Sequence, residues 1–155
     1  MTYKKSSIAA QVEREHACLK RDMGDIEENV MQEVSDEEFA DWRLEFMWRL
    51  RDFRNHLCKH FDLEEEGGFM TEIKEEAPEA TKKVEELENA HGQILIDLDE
   101  ILTELKSIET KKVEDLESIK GRVHKLISTI HAHESAENEL MQRVYYQEYG
   151  YPGAS

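Results

Sequence analysis

Proline and glycine are scarce: two prolines and seven glycines among 155 residues leave few places where a helix must stop. Long stretches rich in Glu, Lys, Leu, Ala and Ile fill the intervals, which favours an all-helical bundle in one domain spanning 1–155. Cysteine is nearly absent. Cys18 and Cys58 are isolated, with no CxxC pair, so neither a disulfide scaffold nor a cysteine-rich zinc site is expected. Basic residues are in deficit. The 20 Lys and Arg against 36 Asp and Glu give a net charge of -16, the wrong sign for a counterion-releasing grip on nucleic acid or for an anionic membrane. Long apolar runs are missing as well. The opening MTYKKSSIAAQVERE has no apolar stretch of signal-peptide length, and nothing later approaches the roughly 18 consecutive apolar residues of a membrane span. A soluble, cytoplasmic protein is the expectation.

Four segments repeat apolar residues at alternating three- and four-residue steps, the mark of helices with one buried stripe. Their expected bounds are roughly 6–32, 36–66, 78–107 and 111–149, and short connections make them an antiparallel up-down-up-down four-helix bundle. Ser35 with Glu38 three residues on spells a capping box, Gly67-Gly68 a helix end, and Pro78 the first turn of the third helix. The first stripe runs Ile8, Val12, His16, Leu19, Met23, Ile26, Val30, and the second Phe39, Trp42, Phe46, Leu50, Phe53, Leu57, His60, Glu64. The third runs Val84, Leu87, His91, Leu95, Leu98, Leu102, Leu105, and the fourth Leu116, Val123, Leu126, Ile130, His133, Glu137, Leu140, Val144. Trp48 joins Trp42, Phe46 and Phe53 as a core or core-edge aromatic, and the closing YYQEYGYPGAS reads as a tail over one bundle end.

Every stripe carries a histidine where an aliphatic residue belongs. A buried histidine needs partners for both ring nitrogens, and a buried glutamate needs a compensating charge or metal. Four stripes that break the apolar rule together point to one shared polar site. The exceptions also repeat: His16 then His60-x-x-x-Glu64 in one hairpin, His91 then His133-x-x-x-Glu137 in the other. In each His-x-x-x-Glu the two side chains lie about 40° apart around the helix axis and roughly 6 Å along it, so both reach one centre. Four imidazoles and two carboxylates exceed one closed tetrahedral zinc. They suit a pair of iron or manganese ions, with one glutamate from each hairpin able to bridge.

These residues resemble the ligand pattern of the hemerythrin-like (HHE) family of di-iron four-helix bundles, over nearly the whole chain. Within that family the spacing is most similar to the di-iron domain of the repair-of-iron-centres (Ric) proteins: a lone His, His-x-x-x-Glu, a lone His, His-x-x-x-Glu. The resemblance implies two iron ions per chain bridged by Glu64, Glu137 and an oxo or hydroxo group, with manganese the lesser alternative. It assigns His16 and His60 to one ion, and His91 and His133 to the other. It implies reaction with O2, NO or peroxide, in nitrosative or oxidative stress or iron-centre repair, and a redox partner protein. Non-catalytic O2 or NO binding or sensing, or iron storage, is the alternative function. Leu95 stands where oxygen-carrying hemerythrins have a further histidine, which points away from reversible O2 carriage.

Around the six expected ligands, Glu13 and Glu88 each precede an inward histidine by three residues and are candidates to accept its outer N–H. His56, one turn before His60, is a rim histidine or a further donor. His124 and His131 are expected on solvent or helix-flank faces, and Glu65 and Glu66 on a solvated helix end. Glu13-x-x-His16 and Glu88-x-x-His91 also match the Glu-x-x-His of ferritin-like proteins, but that arrangement wants lone glutamates on the alternate helices.

Overall fold

Scarce breakers and four amphipathic stripes give, in the computed structural model, long helices and no strand among residues 7–147, which are the residues described, with side chains described to Tyr145. The helices are α1 (Ser7–Met31), α2 (Phe39–Glu65), α3 (Phe69–Glu76), α4 (Thr81–Ser107) and α5 (Val113–Gln142). A 3-10 turn, Pro78–Ala80, leads into α4, and a π-helical turn, Arg143–Gln147, follows α5. The four long helices form an antiparallel bundle in which α1 and α4 each pack against both α2 and α5. Among the described residues no helix is long and apolar enough to cross a membrane. The expected start at residue 6 and most of the closing tail lie outside the described residues; Tyr145 is buried and donates its hydroxyl to Glu72.

Local signals explain most of the helix ends. The Ser35 hydroxyl accepts the Glu38 backbone N–H at 3.2 Å while Glu38 accepts the Ser35 backbone N–H at 3.2 Å, the reciprocal pair of a capping box. It closes a turn just ahead of α2. At the far end of α2, Gly68 adopts φ 94°, a left-handed conformation that other residues resist, and a Cβ on Gly67 would meet the Leu63 carbonyl oxygen at 2.3 Å. The end of α4 is capped from another helix. Arg43 of α2 donates to the carbonyls of Leu105, Lys106 and Ile108, of which Leu105 also accepts the Ile108 backbone N–H at 3.3 Å.

Several expectations need correction. The stretch 69–76, left as a connection, is the helix α3, whose Phe69, Met70 and Ile73 are buried; eight residues are too few for periodicity to reveal. Pro78 starts the 3-10 turn rather than the long helix, which begins at Thr81. Trp48 is 71% exposed, because Phe46 and Leu50 hold the inner face and a residue two positions from each lies about 200° around the helix. Ile94 and Ile101 join Val84, Leu98 and Leu105 as fully buried positions of α4, while Leu95 and Leu102 only flank the core. Leu116 and Ile8 are likewise flanking, and Ala9 takes the inner place.

The core is divided. A larger apolar cluster fills the bundle between Leu19, Phe46, Leu98 and Ile127. A smaller one gathers Val12, Val84, Leu87 and Leu140 around α3. Buried between them are His16, His60, Glu64, His91, His133, Glu134 and Glu137, a polar band across the bundle. We expect Leu98→Ala, which empties a fully buried site, to cost about 2–5 kcal/mol in urea unfolding, and Trp48→Ala to stay within about 0.5 kcal/mol of the parent.

Candidate metal centre

The polar band is built by helix register. His16 follows Val12 by four residues on α1, His91 follows Leu87 by four on α4, and the two His-x-x-x-Glu pairs occupy successive turns of α2 and α5. All four histidines turn Nε2 inward. His60 Nε2 lies 3.4 Å from Glu64 Oε2, and His16 Nε2 lies 3.0 Å from Glu137 Oε1 and 3.8 Å from Glu64 Oε2. His91 Nε2 lies 3.1 Å from Glu64 Oε1, and His133 Nε2 lies 3.1 Å from Glu137 Oε2. Each glutamate therefore gives one oxygen to the His16 side and the other to the His91 and His133 side. Two groups of donor atoms result, each within 4.8 Å: His16, His60, Glu64, Glu137 and Glu64, His91, His133, Glu137. Both glutamates belong to both groups. The structure thus brings together all six residues singled out as ligands.

The donor set fits a metal pair on local grounds. Glu64 and Glu137 have no exposed surface, yet both Glu64 oxygens, Glu137 Oε2 and His60 Nε2 lack a hydrogen-bond partner. These atoms approach their neighbours closely without aiming at them, as donors do when arranged around a common third point. His91 Nε2 and His133 Nε2 lie 3.1 Å apart, a contact that repels unless a proton or cation sits between the two lone pairs. A buried carboxylate left in that state costs several kcal/mol, and a divalent ion removes the cost.

The outward Nδ1 atoms are held by neighbouring helices. Asn138 Oδ1 takes His16 Nδ1 at 3.0 Å, Glu15 takes His60 Nδ1 at 3.1 Å, and Glu65 takes His91 Nδ1 at 2.8 Å. An acceptor there puts the proton on Nδ1 and leaves the Nε2 lone pair facing inward. The part anticipated for Glu88 falls to Glu65, because Glu88 pairs with Lys74 at 2.9 Å. Glu13 lines a cleft beside His16, whose Nδ1 is met by Asn138. His56 lies outside the cluster, paired with Asp22 at 2.8 Å. His124 is exposed as anticipated, whereas His131 lines that cleft.

Sequence reasoning missed Glu15, Glu65, Asn138 and Glu134. Each lies one position from an expected ligand, about 100° around its helix, and so faces the adjoining helix instead of the bundle axis. That adjacency is the signal that could have found them.

Without a cation, protons must balance the two carboxylates. Burial pulls the His16 imidazole down, but Glu137 and Glu64 outweigh it and push it up to about 10. His91 likewise rises to about 10 against burial, through Glu137, Glu64 and Glu65. His60 is also raised against burial, mainly by Glu64. Burial opposes ionisation of Glu137, yet His133, His16 and His91 hold it well below the usual carboxylate range. Burial lifts Glu134 to about 6, with His16 and His60 pulling the other way.

A helical bundle with two shared carboxylates and four convergent imidazoles in its core has the donor set of a metal-binding site. The family model for the hemerythrin HHE cation binding domain matches residues 7–145, and the chain belongs to that family. Comparison with curated proteins and with solved structures returned no match.

Two expectations follow for the centre. His60→Ala and Glu137→Ala should each lose most of the bound metal on anaerobic reconstitution while keeping most helical dichroism; full metal content in both would defeat the ligand set. The second concerns pH. Groups raised from 6.5 to about 10 stabilise the metal-free fold below pH 6.5, and that stability is lost as pH rises towards 10. The lowered Glu137 works in the opposite sense and stops stabilising as pH falls below 4.5. Chelator-stripped protein should therefore melt at progressively lower temperature between pH 6.5 and 10, and a flat or rising profile would contradict the charge balance described.

Proposed function

We propose that the protein is a non-haem di-iron protein of the cytoplasm that reacts with O2, NO or peroxide. The observation that carries this reading is the division of each buried glutamate between two histidine groups. Imidazole and carboxylate without thiolate suit iron, with manganese as the lesser alternative. His16 and His60 would hold one ion, His91 and His133 the other, with Glu64 and Glu137 spanning both. A bound iron pair supplies a change of oxidation state and a coordination position for a small ligand.

The chain's own residues prepare that chemistry. Glu15, Glu65 and Asn138 fix ring orientation and keep the inward nitrogens deprotonated on the metal side. The apolar clusters above and below the band keep bulk water out. A cleft of about 430 Å³, lined by His16, Lys20, His131 and Glu134, opens to one side of the centre and gives small ligands a route. Phe61 stacks on His91 with ring centroids 3.9 Å apart and covers the other side.

The Ric-like order of a lone His and His-x-x-x-Glu, twice over, supports a role in nitrosative or oxidative stress, with iron-centre repair as its most specific form. Electrons would come from a redox partner protein. Stopped-flow mixing of the reduced, iron-loaded protein with NO and with hydrogen peroxide tests the reading. Multi-turnover consumption in the presence of a reductant is the expected result. A stable, reversible adduct with no turnover would overturn it in favour of a carrier, sensor or iron store.

A further inference from the structure

The two halves of the centre are related by the repeat, so the positions where the repeat fails are informative. The residue after each His-x-x-x-Glu histidine faces the lone histidine of the next helix. On α2 that residue is Phe61, whose ring lies on His91 with an interplanar angle of 9°. On α5 it is Glu134, whose Oε2 lies 3.8 Å from His16 Nε2.

We propose that Glu134 is a third carboxylate ligand of the metal centre, confined to the His16 and His60 half, so that the two metal positions are chemically inequivalent. The inference rests on the two-metal reading above and goes beyond its six ligands.

Three observations carry it. Glu134 is only 7% exposed, and its Oε2 is buried with no hydrogen-bond partner. Core packing does not account for a carboxylate in that state, since burying it without a partner is costly. Secondly, two donors each about 2.1 Å from one ion lie between roughly 3 Å and 4.2 Å apart, and Glu134 Oε2 meets that interval from His16 Nε2; it stands outside the tight group His16, His60, Glu64, Glu137, so a rotation about its own side-chain bonds would complete the coordination. Thirdly, Glu134 and His16 both line the cleft, so this half is the one small ligands meet.

The chemical consequence is directional. A third anion on one position favours the higher oxidation state there, and a ligand entering from the cleft meets a carboxylate that can be displaced. The His91 half has no such group: Phe61 supplies a ring where Glu134 supplies an oxygen. Asymmetry extends to the outer contacts, since Glu15 precedes His16 and serves His60, whereas Ala90 holds the matching place before His91.

The test uses the whole chain, reconstituted anaerobically with 57Fe(II) and read by equilibrium titration and Mössbauer spectroscopy. The parent should bind two irons and give two ferrous doublets of equal area. Glu134→Gln, nearly the same size without the charge, should weaken one of the two sites by about tenfold or more and shift one doublet, leaving the other in place. Glu134→Asp, which restores the carboxylate, should recover part of that affinity, a rescue that a packing role would not give. A parent with two irons whose Glu134→Gln variant matches it in affinity and spectrum overturns this inference and leaves the two-metal reading intact. Equal losses in the Gln and Asp variants also overturn it. A parent that binds fewer than two irons overturns both.

Discussion

Two carboxyl groups with no exposed surface, Glu64 and Glu137, are the constraint on which the rest of this structure depends. An apolar bundle cannot hold them unless positive charge is placed within a few ångströms. Four imidazoles are turned inward for that purpose, and each is turned by a polar neighbour or by helix register. A bound metal would satisfy the same constraint in place of protons, and its binding would release them. The site is thus a charge-balance problem with two solutions, one protonic and one metallic.

That band of charge also dictates how the core is assembled. It separates a long apolar cluster from a short one, and the short one would be thin with only the ends of α1, α4 and α5 to build it. The helix α3 completes it: Phe69, Met70 and Ile73 close the bundle end next to the ligands. Gly68 makes this possible, because its left-handed backbone lets the chain turn from α2 into α3 within a few residues. A connection with no obvious periodicity therefore keeps the metal side of the core dry.

The helices and their inward histidines were legible because helical periodicity is local: His16 and His91 interrupt stripes that can be counted along one segment. The same counting located both His-x-x-x-Glu pairs. It failed where the choice was between adjacent positions, as with Leu95 against Ile94, because both lie near the edge of one stripe and packing against α2 and α5 decides between them. It failed also for Trp48, where aromatic character argued for burial and helix geometry placed the ring in solvent. Glu65 looked like a solvated helix end and is 42% exposed, yet one of its oxygens secures His91. Exposure of the residue as a whole says little about one atom of it.

By itself the sequence determined the helical class and the six inward polar residues with their twofold repetition, because these follow from residue type and spacing along single helices. Only tertiary structure decided which helices adjoin, and so which residue beside a ligand reaches which histidine. Glu15 serves His60, Glu65 serves His91 and Asn138 serves His16, across helix pairs. The repeat in the sequence is nearly symmetric, but the folded centre is not. Phe61 and Glu134 occupy matching places and face different histidines, and only packing gives that difference a position in space.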